Sequence, residues 1–202
     1  VFFKGKKIGL WVVAAWFVIM GSPAQAEGEK QISVGLSLNE RVPDVQLKTG
    51  SGNKFKLRPA LMGKWTVMFY FRGSWCPYGR RQIKELRTIE NQLLTENVDV
   101  LGISPEGFPK TLAMSQEFQT GFVLLSDENF DAGLGLGMME SLPLKETDKY
   151  LNAGACLLEM AQGGYLIPRS GLWLISPEGL VSFAHLPVDP KNIIQAEELI
   201  QV

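Results

Sequence analysis

The sequence predicts an α/β domain with a central mixed sheet flanked by helices. Three observations carry this reading. The apolar, aromatic and β-branched run Trp65–Phe71 has the composition of a strand buried on both faces. Downstream of it, strand-like and helix-like periodicities alternate as far as Leu125, the order of parallel strands joined by crossover helices. Near the C-terminus, two short apolar runs bracket a Pro/Gly turn and read as an antiparallel hairpin.

Each element follows from local chemistry. Glu27–Glu40 is polar and contains Gly and Ser, a lead-in to a domain that begins near Val34. Val45–Leu47 and Phe55–Leu57 flank Lys48-Thr49-Gly50-Ser51-Gly52-Asn53, a turn-rich link that predicts a hairpin. After the strand at Trp65–Phe71, Pro77 suits a first helical position, where its missing N–H costs nothing. Ile83, Leu86, Ile89, Leu93 and Leu94 then repeat at helical spacing and predict a helix over 77–96. Val98–Ile103 reads as the next strand, Pro109–Gln119 as a helix with Gly121 beyond its end, and Phe122–Leu125 as another strand. Between Phe130 and Pro168 the pattern weakens. Gly133, Gly135 and Gly137 alternate with leucines without making the G-x-G-x-x-G spacing of a nucleotide loop. Tyr150–Met160 reads as an added helix carrying Cys156, in a helical insertion near 138–168. Leu172–Ile175 and Leu180–Phe183 bracket Ser176-Pro177-Glu178-Gly179, and a last amphipathic helix presents Ile193, Ile194, Ala196, Leu199 and Ile200. An α/β core closed by a hairpin and a helix is the thioredoxin-type plan.

The N-terminus belongs to a different argument. Lys4, Lys6 and Lys7 precede the apolar run Ile8–Met20, and Ser22-Pro23-Ala24-Gln25-Ala26 ends in a small-x-small pattern. Residues 1–26 therefore read as a signal peptide, leaving 27–202 as one exported domain with a periplasmic location. The apolar run is shorter than the ~20 residues a membrane-spanning helix needs, so the alternative is an anchor formed by the same segment left uncleaved. A net charge of −1 and a pI near 6.0 give no basic surface for nucleic acid, which leaves small molecules or proteins as partners. One His and two distant Cys offer no structural zinc spacing, and no cofactor is expected.

The chemistry concentrates in Arg72-Gly73-Ser74-Trp75-Cys76-Pro77-Tyr78-Gly79, at the strand-to-helix junction. A thiol reacts as its thiolate, and a reference pKa of ~8.5 leaves little of it at neutral pH. A helix N-terminus favours an anion, and Cys76 immediately precedes Pro77, with Arg72, Arg80 and Arg81 nearby. An isolated Cys after a strand is otherwise an inert small hydrophobe. Trp75, Pro77 and Tyr78 flank the sulfur and are candidates for a substrate surface, although Trp75 serves equally well as cover for the core edge. The lone His185, before a proline turn, reads as a satisfied or surface histidine.

FYFRGSWCPYGRRQIKEL (Phe69–Leu86) resembles the peroxiredoxin-like branch of the alkyl hydroperoxide reductase and thiol-specific antioxidant (redoxin) family, whose motif is Arg-Gly-x-Trp-Cys-Pro-Tyr-Cys. Similarity extends to Val42–Leu47, Gly63-Lys64-Trp65, Gly102-Ile103-Ser104-Pro105, Leu124-Leu125-Ser126-Asp127, Gly179 and Phe183-Ala184-His185. The resemblance implies a thioredoxin fold and thiol redox chemistry with Cys76 as nucleophile. Its partners would be an external thiol reductant or a protein disulfide, with a small hydroperoxide as a further substrate. The departures are specific. Gly79 replaces the second motif cysteine, so no disulfide can close within the motif. Phe69 and Gly73 stand where typical peroxiredoxins have Pro and Thr, and Ser74 is one residue out of place. Ser170 falls where this branch has a cis-proline and typical peroxiredoxins an arginine. A small register change would bring Pro168 or Arg169 beside Cys76, and Arg169 would then join Arg72 as a thiolate stabiliser. Cys156 is the candidate resolving thiol, provided its Cα comes within ~7 Å of that of Cys76. Two readings follow: a thiol oxidoreductase acting on hydroperoxides or disulfides, and a non-catalytic redoxin-fold module for binding or assembly.

Overall fold

A computed structural model describes residues 35–202; the expected leader at 1–26 lies outside them. The predicted hairpin forms as β1 (Gln46–Lys48) and β2 (Lys54–Lys56), antiparallel and in register at Leu47↔Phe55. A short helix, α1 (Leu57–Leu61), buries Leu57 and Leu61. Then come β3 (Trp65–Tyr70), α2 (Pro77–Thr95), β4 (Val98–Ser104), α3 (Phe108–Phe118) and β5 (Val123–Ser126). These match the predicted alternation to within a residue or so at each end. The helix α3 stops at Gln119, which takes a left-handed conformation (φ 51°), two residues before the Gly121 that the sequence offers as its terminator.

The 130–168 segment departs from expectation. It holds a five-residue helix, α4 (Asp131–Gly135), then β6 (Met139–Leu142), a 3₁₀ turn (Leu144–Glu146), α5 (Thr147–Asn152), β7 (Leu158–Glu159) and β8 (Tyr165–Pro168). The expected helix over Tyr150–Met160 therefore ends at Asn152, and the insertion near 138–168 is built around a small sheet as well as short helices. Gly154 adopts φ +84°, a left-handed conformation that ends the helix. Beyond it Leu158 and Glu159 pair with Leu166 and Tyr165. Cys156 consequently sits in an extended link.

β9 (Gly171–Ile175) and β10 (Val181–His185) form the predicted hairpin, with a register shift between Val181 and Phe183. The closing helix, α6 (Ala196–Ile200), is shorter than its apolar pattern suggests. Gln195 and Glu198 make a reciprocal capping box that fixes its start, so Ile193 and Ile194 are buried ahead of the helix rather than within it.

The main sheet has the order β10-β9-β3-β4-β5-β1-β2, with β3, β4 and β5 parallel at its centre and the flanking pairs antiparallel. A second sheet has the order β6-β8-β7. Alternation along β3 feeds two cores. Met68 and Tyr70 pack with Leu47, Leu61, Ile103, Leu125 and Trp173 on one face. Val67, Phe69 and the following Phe71 pack with Ile83, Leu86, Ile89 and Leu93 of α2 and with Leu199 on the other. Each such side chain contributes about 1.5–3 kcal/mol of burial, far above the fractions of a kcal/mol at stake in intrinsic helix propensity. Packing on the sheet therefore decides where α2 lies.

Candidate functional site

The link from β3 to α2 builds the thiol site. The Phe71 N–H donates to the Ile103 carbonyl at 3.0 Å, extending the pairing of β3 with β4 by one residue. Gly73 then takes φ +120°, a conformation that L side chains rarely adopt. A Cβ there would also stand 2.9 Å from the carboxyl carbon of Glu106. The turn closes with Cys76 N–H donating to the Gly73 carbonyl at 3.2 Å. Cys76 is the N-cap of α2 with extended dihedrals (φ −89°, ψ 116°), Pro77 follows in the first turn, and Arg80 N–H donates back to the Cys76 carbonyl at 3.2 Å. Cys76 therefore stands at the N-terminal end of α2, its side chain making no capping hydrogen bond, and the first turn contains no acidic residue. Cys76 is only 2% exposed.

Glu106, which the sequence reading passes over, holds this loop. Its carboxylate is wholly buried and accepts from Ser74 N–H at 2.6 Å and Ser74 Oγ–H at 2.7 Å, with Lys110 Nζ at 3.3 Å. The available signal was positional: an acid just beyond the C-terminal end of the central parallel strand β4, the edge at which open α/β sheets build their sites. Ser74 thus has its hydroxyl proton committed to Glu106.

The arginines divide. Arg72 is 8% exposed, and its guanidinium lies 5.0 Å from the Trp75 ring centroid and 5.2 Å from that of Tyr150. These two rings meet edge to face at 5.7 Å, and Trp75 Nε1–H donates to the Arg72 carbonyl at 2.8 Å. Arg80 instead pairs with Glu117, and Arg81 reaches Gln195 at 3.3 Å. Arg169 donates to the Pro187 carbonyl at 3.1 Å and lies 3.7 Å from Glu140. Register explains its position: Tyr70 pairs with Gly171, so the chain just beyond β3 runs alongside the residues just before β9. Arg72, Arg169 and Ser170 accordingly line one cavity, whose lining residues do not include Cys76. No cis peptide bond occurs among the described residues.

Of the remaining flanking residues, Pro77 is exposed, while Tyr78 is half-buried in a narrow cavity shared with Gly79, Ser170 and His185. Gly79 faces the core; a Cβ there would meet Phe71 at 3.2 Å. His185 is satisfied by a 2.7 Å bond from Nε2 to the Asn192 carbonyl.

Cys156 comes back toward the loop. Both cysteines are free thiols, and two residues before Cys156 a Cβ on Gly154 would lie 4.0 Å from Trp75 Cβ. Burial pushes the Cys156 thiol up from its ordinary value, the negative charge of Glu106 adds to this, and Lys110 partly offsets it. The same carboxylate that fixes the Cys76 loop therefore adds to the effect of burial on the second thiol.

The AhpC/TSA family profile matches residues 38–184. No curated protein matches the sequence significantly. Among solved structures, the peroxidoxin BcpB of Mycobacterium tuberculosis is 14% identical with a TM-score of 0.63, over 82% of this chain and 93% of that one. Reduced Prx3 of Vibrio vulnificus, solved with hydrogen peroxide, is 16% identical with a TM-score of 0.64, over 82% and 97%. Peroxiredoxin Q of Xanthomonas campestris is 19% identical with a TM-score of 0.58, over 76% and 87%. At these identities the likeness is one of fold, and that fold is thioredoxin-like.

Proposed function

Because the chain belongs to the AhpC/TSA family of thiol-dependent redoxins, we propose that Cys76 is the redox nucleophile of a peroxidase acting on small hydroperoxides. The observation that carries this reading is the position of Cys76 as N-cap of α2, behind a loop clamped by Glu106. The Cys76 thiolate attacks the terminal oxygen of the hydroperoxide and the O–O bond breaks. The leaving alkoxide takes up the proton that the thiol released on ionising and departs as the alcohol, leaving Cys76 as a sulfenic acid. A thiol then condenses with the sulfenic acid, releasing water and forming a disulfide, which a further thiol reduces. Gly79 supplies no sulfur, so the condensing thiol is Cys156 or an external one.

Burial favours the hydroperoxide over a protein disulfide as oxidant, since a 2% exposed sulfur admits a small molecule more readily than a folded partner. One observation favours disulfide exchange: the only hydroxyl in the loop, Ser74, is bound to Glu106 and is not free to activate a peroxide. Export to the periplasm, suggested by the basic, apolar and small-x-small pattern of residues 1–26, is part of the same proposal, and cell fractionation tests it.

Stopped-flow mixing with hydrogen peroxide, cumene hydroperoxide and a small disulfide, with Cys76→Ser as control, tests the chemistry. Wild type is expected to react and the variant not to. Equal inertness of the two would leave a non-catalytic module as the better reading. Intact mass after mild oxidation separates a bridge to Cys156, which loses two hydrogens, from an unresolved sulfenic acid, which gains an oxygen.

A further inference from the structure

Cys76 follows the C-terminal end of β3, and at the other end of the parallel strands the sheet has a step. There β4 pairs with β3 from Val98 onward but with β5 only from Leu101, so Val98, Asp99 and Val100 have no strand on their β5 side. A cleft of about 300 Å³ opens at this step, walled by Phe55, Leu61, Leu94, Phe122 and Val123. Its volume lies at the small end of the range of about 300–1,000 Å³ that small-molecule pockets occupy. Leu94 and Val123 are 60% and 44% exposed, so the cleft is open to solvent along them. Cys76 is not among the lining residues.

One lining residue breaks the apolar pattern. The helix α2 buries Leu86 and Leu93, and position 90, on the same helical face, holds Glu90, only 5% exposed. Neither of its carboxylate oxygens accepts a hydrogen bond among the described residues, and neither is fully enclosed. Its Oε1 lies against Gly121, where a Cβ would stand 2.3 Å away, so the glycine keeps open the space that the carboxylate occupies. Among the described residues its ion-pair partner is Arg87, whose Nη1 lies 3.3 Å from Oε2. Arg87 is 43% exposed, and its Nε already donates to the Gln119 carbonyl at 2.9 Å. A solvent-facing pair of this kind offsets little of what burying a carboxylate costs, and Oε1 is left without a donor.

The lining decides the class of ligand. Besides Glu90 its polar side chains are Thr66 and Asp99, and no Lys, Arg or His is among them. Asp99 is half-exposed and faces Lys64 at 3.3 Å, which leaves Glu90 as the buried acceptor. An apolar cleft with one buried carboxylate oxygen lacking a donor fits a protonated amine on an apolar body: the ammonium supplies the N–H and the hydrocarbon part covers the walls. The same charge repels an anion. We propose that this cleft binds a small organic ammonium ion, whose N–H donates to Glu90 Oε1. The site uses no residue of the Cys76 loop and goes beyond the peroxidase reading.

Calorimetric titration of the full chain with phenethylamine, 2-phenylethanol and 3-phenylpropionate separates charge from shape at nearly constant size. Phenethylamine is expected to bind at least about tenfold more tightly than the alcohol, as befits a hydrogen bond between charged groups. The carboxylate is expected to bind most weakly. Glu90→Gln keeps the shape of the side chain; it should weaken phenethylamine at least about tenfold while leaving the alcohol within about threefold.

Two variants of solvent-facing side chains keep the test decisive if Glu90→Gln fails to fold. Arg87→Met removes the competing cation and should tighten phenethylamine about threefold with no change for 2-phenylethanol, a selective gain that a general loosening of the fold would not give. Leu94→Asn removes apolar contact and should weaken amine and alcohol alike, about two- to fivefold. Undetectable binding of phenethylamine at millimolar concentration, equal affinity for the three probes, tighter binding of the carboxylate, or unchanged amine affinity in the variants overturns the proposal. None of these readouts involves Cys76, so their failure and that of the peroxidase reading are distinguishable.

Discussion

At Glu106 three donor groups, from Ser74 and Lys110, meet one buried carboxylate, and the geometry of the Cys76 loop depends on that meeting. In Glu106→Gln the amide can accept through only one oxygen, so it turns an N–H₂ toward a donor now left unsatisfied. A loss of about 1–3 kcal/mol in denaturant unfolding is expected, with slower oxidation of Cys76. Lys110 is largely exposed, and Lys110→Ala should cost under about 1 kcal/mol. The Glu106→Gln variant also tests the coupling to Cys156. Removing the charge that helps hold its thiol up should speed its reaction with a disulfide probe at pH 8 in a Cys76→Ser background. An unchanged rate would mean that burial alone controls Cys156. None of this was legible in the sequence, because Glu106, Ser74 and Cys156 meet only through the crossover from β4 and the return of the 154–158 link.

The helix α2 was the most legible element, since its apolar repeat and Pro77 define both its face and its start. Its first turn also carries the departure from the family motif. Gly79 is buried against Phe71, and a cysteine side chain there must displace that ring by a few tenths of an ångström. Gly79→Cys is therefore expected to lower the melting temperature while restoring a dithiol: mild oxidation should remove two hydrogens, mapped by digestion to a bridge between Cys76 and the introduced thiol. If only single-oxygen adducts form, the first turn of α2 holds the two sulfurs apart. The 138–168 segment was the least legible. Its two-to-four-residue strands carry too little periodicity to announce themselves, and the αL conformation of Gly154, which ends α5, shows only in the fold.

Across the whole molecule, the two cores on the faces of one sheet are joined through β3, and one face encloses a titrating group. Tyr70 donates to Asp127 at 3.1 Å, and Asp127 also accepts from Ala132 and Gly133 N–H at 2.9 and 2.8 Å. Burial pushes the Asp127 carboxyl up to about 6, against the opposing pull of those hydrogen bonds. A carboxyl raised in the folded state binds its proton more tightly there than in the unfolded chain. Its contribution is fully present below about 4, the ordinary carboxylate range, and is lost as pH rises through about 6. Denaturant unfolding from pH 4 to 8 should show wild type losing on the order of 2–3 kcal/mol more than Asp127→Asn across that window. Parallel stability curves for the two proteins would overturn this.

The sequence by itself determined the α/β alternation, the β9–β10 hairpin, the family and the thiol at a helix start. Each is written in local patterns of period, turn chemistry and contiguous motif. Only the tertiary structure decided which groups surround that thiol. Glu106 reaches Ser74 from the end of β4, Arg72 and Arg169 converge because β9 runs antiparallel to β3, and Cys156 returns in a link that the sequence read as helix. Such encounters depend on strand order and register, which bring together residues far apart in the chain and leave no mark on its local periodicity.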